Sequence, residues 1–232
     1  MINIRKGDAR GTSRAGWLHS RHSFSFADYY DPAHMGVSAL RVLNEDRVDP
    51  GEGFPPHGHR DMEIISIVLE GAMAHEDSTG GGSVIRPGDV QLMHAGTGIM
   101  HSEFNASDTD PLHFLQIWVM PNRTGVRPGY EQHQFMEPDE HGVMRRILDP
   151  DGAEGALRIN QDVRAWQARL TDGQDLDLPL SPGRQGWLQV AKGDVLLDGE
   201  TLTAGDGAHI QDTGVPVIHA RGDAELIVFD LP

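Results

Sequence analysis

From Asp61 to Met120 the apolar segments run only four to nine residues before a turn rich in glycine or proline breaks them. That rhythm is the tightest limit the sequence sets on its fold. DMEIISIVL (61–69) has the β-branched composition of a buried strand, and LHFLQIWVM (112–120) is its apolar counterpart. Between them lie Glu70-Gly71, STGGGS (78–83), Pro87-Gly88-Asp89 and Ala95-Gly96-Thr97-Gly98, each a compact turn signal. Upstream, Ala39 to Leu43 reads as a short strand, Asp31-Pro32 and Asp49-Pro50-Gly51 as turns, and Phe24, Phe26 and Tyr29 as packing residues. Short strands joined by tight turns predict an all-β fold, an antiparallel sandwich or barrel.

A weak internal repeat points to two such units. IVLEGAMAHED (67–77) resembles LQVAKGDVLLD (188–198), aligning Gly71 with Gly193. RPGDVQLM (86–93) resembles TAGDGAHI (203–210), aligning Gly88-Asp89 with Gly205-Asp206. Residues 122–153 are richer in proline, glycine and charge and read as the connection. The expected halves are therefore residues 1–125 and 126–232. Gln161 to Gln167 is read as a short helical turn.

The formal charge of −16 is spread along the chain: residues 1–120 carry 9 Lys/Arg against 16 Asp/Glu, and residues 121–232 carry 10 against 19. No basic stripe survives that balance, which disfavours nucleic-acid binding. Cysteine is absent, which excludes disulfides, iron–sulfur clusters and thiol nucleophiles and leaves only nitrogen and oxygen ligands for a metal. No run of apolar residues is long enough to span a membrane, and the N-terminal MINIRKGDARG lacks the apolar core of a secretory signal. The expected location is cytoplasmic, with no membrane partner.

Within this frame, His57 and His59 form one pair spaced by two, and His101 and Glu103 another. In a strand, residues i and i+2 share a face, so each pair projects together. Neighbouring antiparallel strands then bring three imidazoles and one carboxylate to one interior point, a plausible site for a divalent transition metal. Glu63 shares parity with His57 and His59. It reads either as a hydrogen-bond acceptor behind an imidazole or as a structural carboxylate. His75, His94 and His113 read as surface or core-edge residues, and His22 and His34 as structural.

Two adjacent patterns carry a family resemblance. G-x5-H-x-H-x3-E fits Gly51, His57, His59 and Glu63, and G-x-G-x2-H-x3-N fits Gly96, Gly98, His101 and Asn105. They resemble the two motifs of the cupin superfamily. HSFSFADYYDP, MGVSALRVLNED, HGHRDMEI, AGTGIMHSE and LHFLQIWVMP make the chain similar to the pirin family, in its bacterial quercetin 2,3-dioxygenase-like branch. Glu63 sits one residue earlier than the glutamate many cupins use as a ligand, and Gly96 replaces a usual proline. Both departures fit pirins.

The resemblance implies a bicupin of two face-to-face β-barrels, with one metal in the first held by His57, His59, His101 and Glu103. It implies iron(II), with nickel, cobalt, copper or manganese as other N/O-compatible ions. It also implies a flavonol-like aromatic substrate, dioxygen, ring opening and release of carbon monoxide, with Glu103 as base. In the second half His219 falls near the position of His101, but Arg221 stands where the glutamate would be, so that half is expected to be metal-free. The competing expectation is a non-enzymatic regulatory protein whose metal's redox state alters a surface read by a protein partner. A cupin isomerase or storage-type binder has less support.

Overall fold

The structure, a computed structural model, describes residues 1–212 and 214–232. The first half of the chain forms β1 (Ile2–Arg5), β2 (Gly11–Arg14), β3 (Leu18–His22), β4 (Leu40–Val48), β5 (Gly53–His59), β6 (Glu63–Glu70), β7 (Met73–Asp77), β8 (Gly82–Ile85), β9 (Asp89–His94), β10 (Ile99–Asn105), β11 (Leu112–Val119) and β12 (Gly129–Gln134). The second half forms β13 (Val143–Asp149), β14 (Leu157–Arg158), β15 (Arg164–Leu170), β16 (Asp175–Asp177), β17 (Gln185–Lys192), β18 (Asp194–Leu197), β19 (Glu200–Thr203), β20 (Gly207–Ile210), β21 (Val217–Ala220) and β22 (Ala224–Leu231). The only helical segments among the described residues are single 3-10 turns at Gly7–Ala9 and Ala153–Gly155. The all-β expectation stands.

The strands pair as four sheets. A seven-stranded sheet (β12-β9-β6-β11-β4-β3-β2) and a four-stranded one (β5-β10-β7-β8) form the first unit. A second seven-stranded sheet (β1-β20-β17-β22-β15-β13-β14) and a second four-stranded one (β16-β21-β18-β19) form its counterpart. No ladder among the described strands joins the large sheet of either unit to the small one, so each is a two-sheet sandwich where closed barrels were expected. The helical turn expected at 161–167 is also absent. Arg164–Leu170 is β15, paired on one side with β13 and on the other with β22. Backbone pairing on both flanks outweighs a weak local preference.

The repeat is visible in the turns. Gly71 and Gly193 both adopt positive φ (80° and 74°). A Cβ on Gly71 would come 2.6 Å from the Pro111 carbonyl oxygen, and one on Gly193 2.1 Å from that of Asp223, each just before an eight-residue strand of its unit's large sheet, β11 and β22. Both the φ and the close approach require glycine.

Strand parity explains why the central strands are apolar on both sides. On β6, Ile65, Ile67 and Leu69 join a core with Leu115 and Ile117 of β11 and with Ile147, Trp187, Ile227 and Phe229 of the second unit. The two large sheets therefore pack face to face, with Phe24 against Trp187 at 4.8 Å between ring centroids. The opposite faces turn inward to each sandwich. In the second unit that interior is filled with aliphatic side chains, among them Leu188, Val190, Val195, Leu202 and Leu226. In the first it is partly polar, and there the candidate site lies.

Two strands tie the units together. β1 pairs with β20 of the second unit, while β12, beyond residue 125, pairs with β9 of the first. Glu63 also spans the junction. Its buried carboxylate accepts from His94 Nδ1 at 2.7 Å, from the Asn160 backbone N–H at 3.0 Å and from Asn160 Nδ2 at 3.2 Å. Glu63 is thus the structural carboxylate of the two readings left open.

Two outcomes follow from this packing. Phe229→Ala, at a site with no exposed surface, should cost about 3–5 kcal/mol in urea denaturation. Both units should lose their structure in one transition because they share that core. Burial alone would lower the His94 pKa, but the Glu63 and Glu131 carboxylates outweigh it and raise it above 6.5. A pKa raised by folding contributes stability that is complete below pH 6.5 and is lost as the pH rises through the folded value. The destabilisation caused by Glu63→Gln should therefore be larger at about pH 6 than at about pH 9; equal penalties at both would remove His94 from the account.

Candidate metal centre

The site is built where β5 lies against β10. The register sets His101 opposite His57 and Ile99 opposite His59. A bulge between His101 and Glu103 then sets Glu103 opposite Phe54. His57 and His101 rings stand 4.4 Å apart between centroids, and His59 lies 4.9 Å from each. One ligand nitrogen from each of the three imidazoles lies within 4.8 Å of the other two. An ion bound at ~2.1 Å would hold its nitrogens no more than ~4.2 Å apart, so roughly half an ångström of side-chain movement closes the set.

The protonation states suit ligation. Burial, with the neighbouring imidazoles, lowers the His59 pKa to about 4 and the His101 pKa to about 2. Both are neutral at physiological pH, the form that binds a metal. His57 Nδ1 lies 2.9 Å from the Pro55 carbonyl, so Nδ1–H donates there and Nε2 keeps its lone pair. His101 Nε2 is buried and has no partner. An orphaned, neutral nitrogen facing two other imidazoles is the mark of a metal site rather than of a polar core.

Glu103 is buried at the same wall but engaged differently. Both carboxylate oxygens accept from Gln116 Nε2 at 3.0 Å, and Oε1 also accepts from Ser66 Oγ at 3.3 Å. Burial raises its pKa, while Gln116, the nearby His57 and Ser66 pull it back in part. Ser66 and Gln116 are cross-strand partners on β6 and β11, so one pair of polar residues in two apolar strands holds this carboxylate.

The histidines read as surface or core-edge residues separate here. His75 is fully buried, its Nε2 lies 3.2 Å from His101 Nδ1, and its ring stacks on Tyr130 at 4.8 Å. It belongs to the site as the group behind His101, which corrects the peripheral reading. His94 bonds Glu63, and His113 bonds Glu45 at 2.9 Å. His219 is exposed on β21 and pairs with Asp175.

His57, His59 and Glu103 line a cavity of about 450 Å³, a volume suited to a small organic ligand, with His101 buried behind them. Phe26, Phe54, Pro55, Pro56 and Trp118 form its apolar wall, and Ser20, His22, Asn44 and Asp46 its polar one. Trp118 packs edge-on against His59 at 4.9 Å, and its indole N–H has no partner. Asp46 is fully buried, accepts from Ser20 and faces no cation in an ion pair, and burial raises its pKa to about 7. His22, Asn44 and Asp46 were missed from sequence as cavity residues. Their one signal is parity, since Asn44 and Asp46 are polar residues two apart on the strand face that also carries Leu40, Val42 and Val48.

Comparison with known proteins matches both units. The Pirin family matches residues 4–119, and the quercetinase C-terminal cupin domain matches residues 146–231. The chain is 44% identical over its whole length to quercetin 2,3-dioxygenase of Escherichia coli K12, covering 99% of that protein. It is 39% identical to a putative quercetin 2,3-dioxygenase of Pasteurella multocida, with 100% of both chains covered. The crystal structure of the bacterial pirin YhhW from Escherichia coli in complex with nickel(II) superposes with a TM-score of 0.95 at 43% identity, covering 100% of this chain and 99% of that one.

Ligation through His101 Nε2 places the proton on Nδ1, where His75 Nε2 accepts it. His75→Phe keeps the volume and the stacking on Tyr130 but removes that acceptor. Metal affinity, measured by chelator competition, should fall about 10–100-fold. Unchanged affinity in the Phe variant would show that His75 only fills space.

Proposed function

The chain belongs to the pirin family, and on that footing we propose that it is a metal-dependent quercetin 2,3-dioxygenase-type enzyme that opens a flavonol ring with dioxygen and releases carbon monoxide. The observation that carries this reading is the imidazole triad, two of whose members, His57 and His59, line a cavity large enough for a flat aromatic molecule together with Glu103. Relatives named quercetin 2,3-dioxygenase that match along the full length support it. The architecture is that of a bicupin, consistent with the C-terminal cupin match. In this reading residues 1–125 form the metal-bearing unit and residues 126–232 its metal-free companion, with β1 and β12 exchanged between them.

His57, His59 and His101 would hold the ion, with Glu103 as the fourth ligand through one oxygen. Iron(II) is the first choice, and nickel, cobalt, copper and manganese suit the same donors. When bound, the metal supplies Lewis acidity toward a deprotonated hydroxyl and an open position for small ligands. Glu103 takes the proton from the substrate's hydroxyl. Its raised pKa makes that proton easier to keep, and the amide of Gln116 holds the carboxylate in place as its charge changes. Phe26, Phe54 and Trp118 clasp the flat ring system. Along the cavity wall the Trp118 N–H and the Asp46 carboxyl are available to the substrate's hydroxyl and carbonyl groups.

The test is anaerobically metallated protein mixed with quercetin and oxygen, following loss of flavonol absorbance and release of carbon monoxide. Turnover should appear in the wild type and fall about 10²–10⁴-fold in Glu103→Gln. His101→Ala should lose bound metal and turnover together. Full activity in metal-stripped His101→Ala would refute the proposal, and no turnover with any of the five metals would favour the regulatory alternative.

A further inference from the structure

A second cavity, of about 580 Å³, lies on the far side of β3 and β4 from the metal site. Its walls are the Lys6–Arg14 segment, the outer faces of those two strands and the Thr203–Asp206 turn of the second unit. Ser13 and Ser20 border both cavities. In a chain of net charge −16 this space gathers five cationic side chains, Lys6, Arg10, Arg14, Arg21 and Arg47, against Asp8, Glu45 and Asp206.

Most of that charge is already matched. Lys6 pairs with Asp206 at 3.0 Å, Arg47 with Glu70 at 3.9 Å, and Arg10 Nη2 with Glu45. Arg14 and Arg21 have no ion pair among the described residues. The Arg10 side chain is 3% exposed and its Nη1 is buried without a partner. A guanidinium held by a carboxylate on one edge, with an unfilled N–H on another, is a preset donor for an oxyanion. Leaving that N–H empty costs on the order of a lost hydrogen bond, which an anion would recover.

We propose that this cavity binds a small oxyanion, of the phosphate or carboxylate class, through Arg10, Arg14 and Arg21. With those pairs matched, Arg14 and Arg21 face only Asp8 in the cavity, so one positive charge is left to neutralise and the Arg10 N–H is left to fill. The site is separate from the metal centre, and the proposal does not rest on the dioxygenase reading.

The test is calorimetric titration of the metal-loaded protein at low ionic strength, with inorganic phosphate in one arm and succinate in the other. One equivalent of either should bind, and the arm that binds more tightly identifies the class. The Arg14→Ala/Arg21→Ala double variant changes only exposed side chains, and should weaken binding about tenfold or more. Arg10→Lys keeps the charge but loses the fork and should also weaken it; if that variant fails to fold, the exposed pair decides. His57→Ala should bind the anion as the wild type does. No binding of either anion at millimolar concentration, equal binding by the double variant, or loss of binding in His57→Ala would each overturn the proposal, the last by placing the anion on the metal.

Discussion

The β5–β10 ladder is the interaction on which the rest depends. Its register sets His101 across from His57, and its bulge brings Glu103 level with Phe54. A slip of one residue would turn one strand's pair, His57/His59 or His101/Glu103, to the face opposite the other. The slip is prevented on both sides of β10, because β7 pairs with it continuously from Asp77 opposite His101 to Met73 opposite Asn105. That second ladder also delivers His75 to the back of His101.

A site of this kind puts polar groups where the fold would otherwise bury hydrocarbon. The second unit shows the alternative: its interior is packed with leucine, valine and isoleucine, and its one histidine in the comparable region lies outside, beside Asp175. The first unit accommodates neutral imidazoles, a carboxylate held by an amide, and Asp46 with a hydroxyl partner. Each arrangement lowers the cost of desolvation without a buried ion pair. Stability comes instead from the face-to-face core of the two large sheets, which leaves the inner face of the first free to diverge.

Some of this was legible beforehand and some was not. The strand rhythm, the clustering of His57, His59 and His101 and the Gly71/Gly193 repeat were readable because each depends on local spacing or on one residue's allowed φ. The closed barrels were not there to read, since closure depends on which strand edges meet. Arg164–Leu170 misled because its local pattern is ambiguous and its two neighbours in the sheet decide its conformation. His75 was judged peripheral because a lone histidine carries no sign of its neighbour across the sheet. Ser66 and Gln116 did carry one, as polar breaks in two apolar strands, and they meet at Glu103.

What the amino-acid sequence determined by itself was an all-β duplicated chain carrying His57/His59 and His101/Glu103 as same-face pairs at two-residue spacing. Alternation along a strand is a property of consecutive residues, so it survives without knowledge of the partner strand. Only the tertiary structure decided that Glu63 joins the two units, that Asp46 and Trp118 face the metal cavity, and that β1 and β12 cross between units. Those outcomes depend on contacts between residues far apart in the chain, whose pairing is selected by burial and hydrogen bonding across the whole molecule rather than by any local pattern.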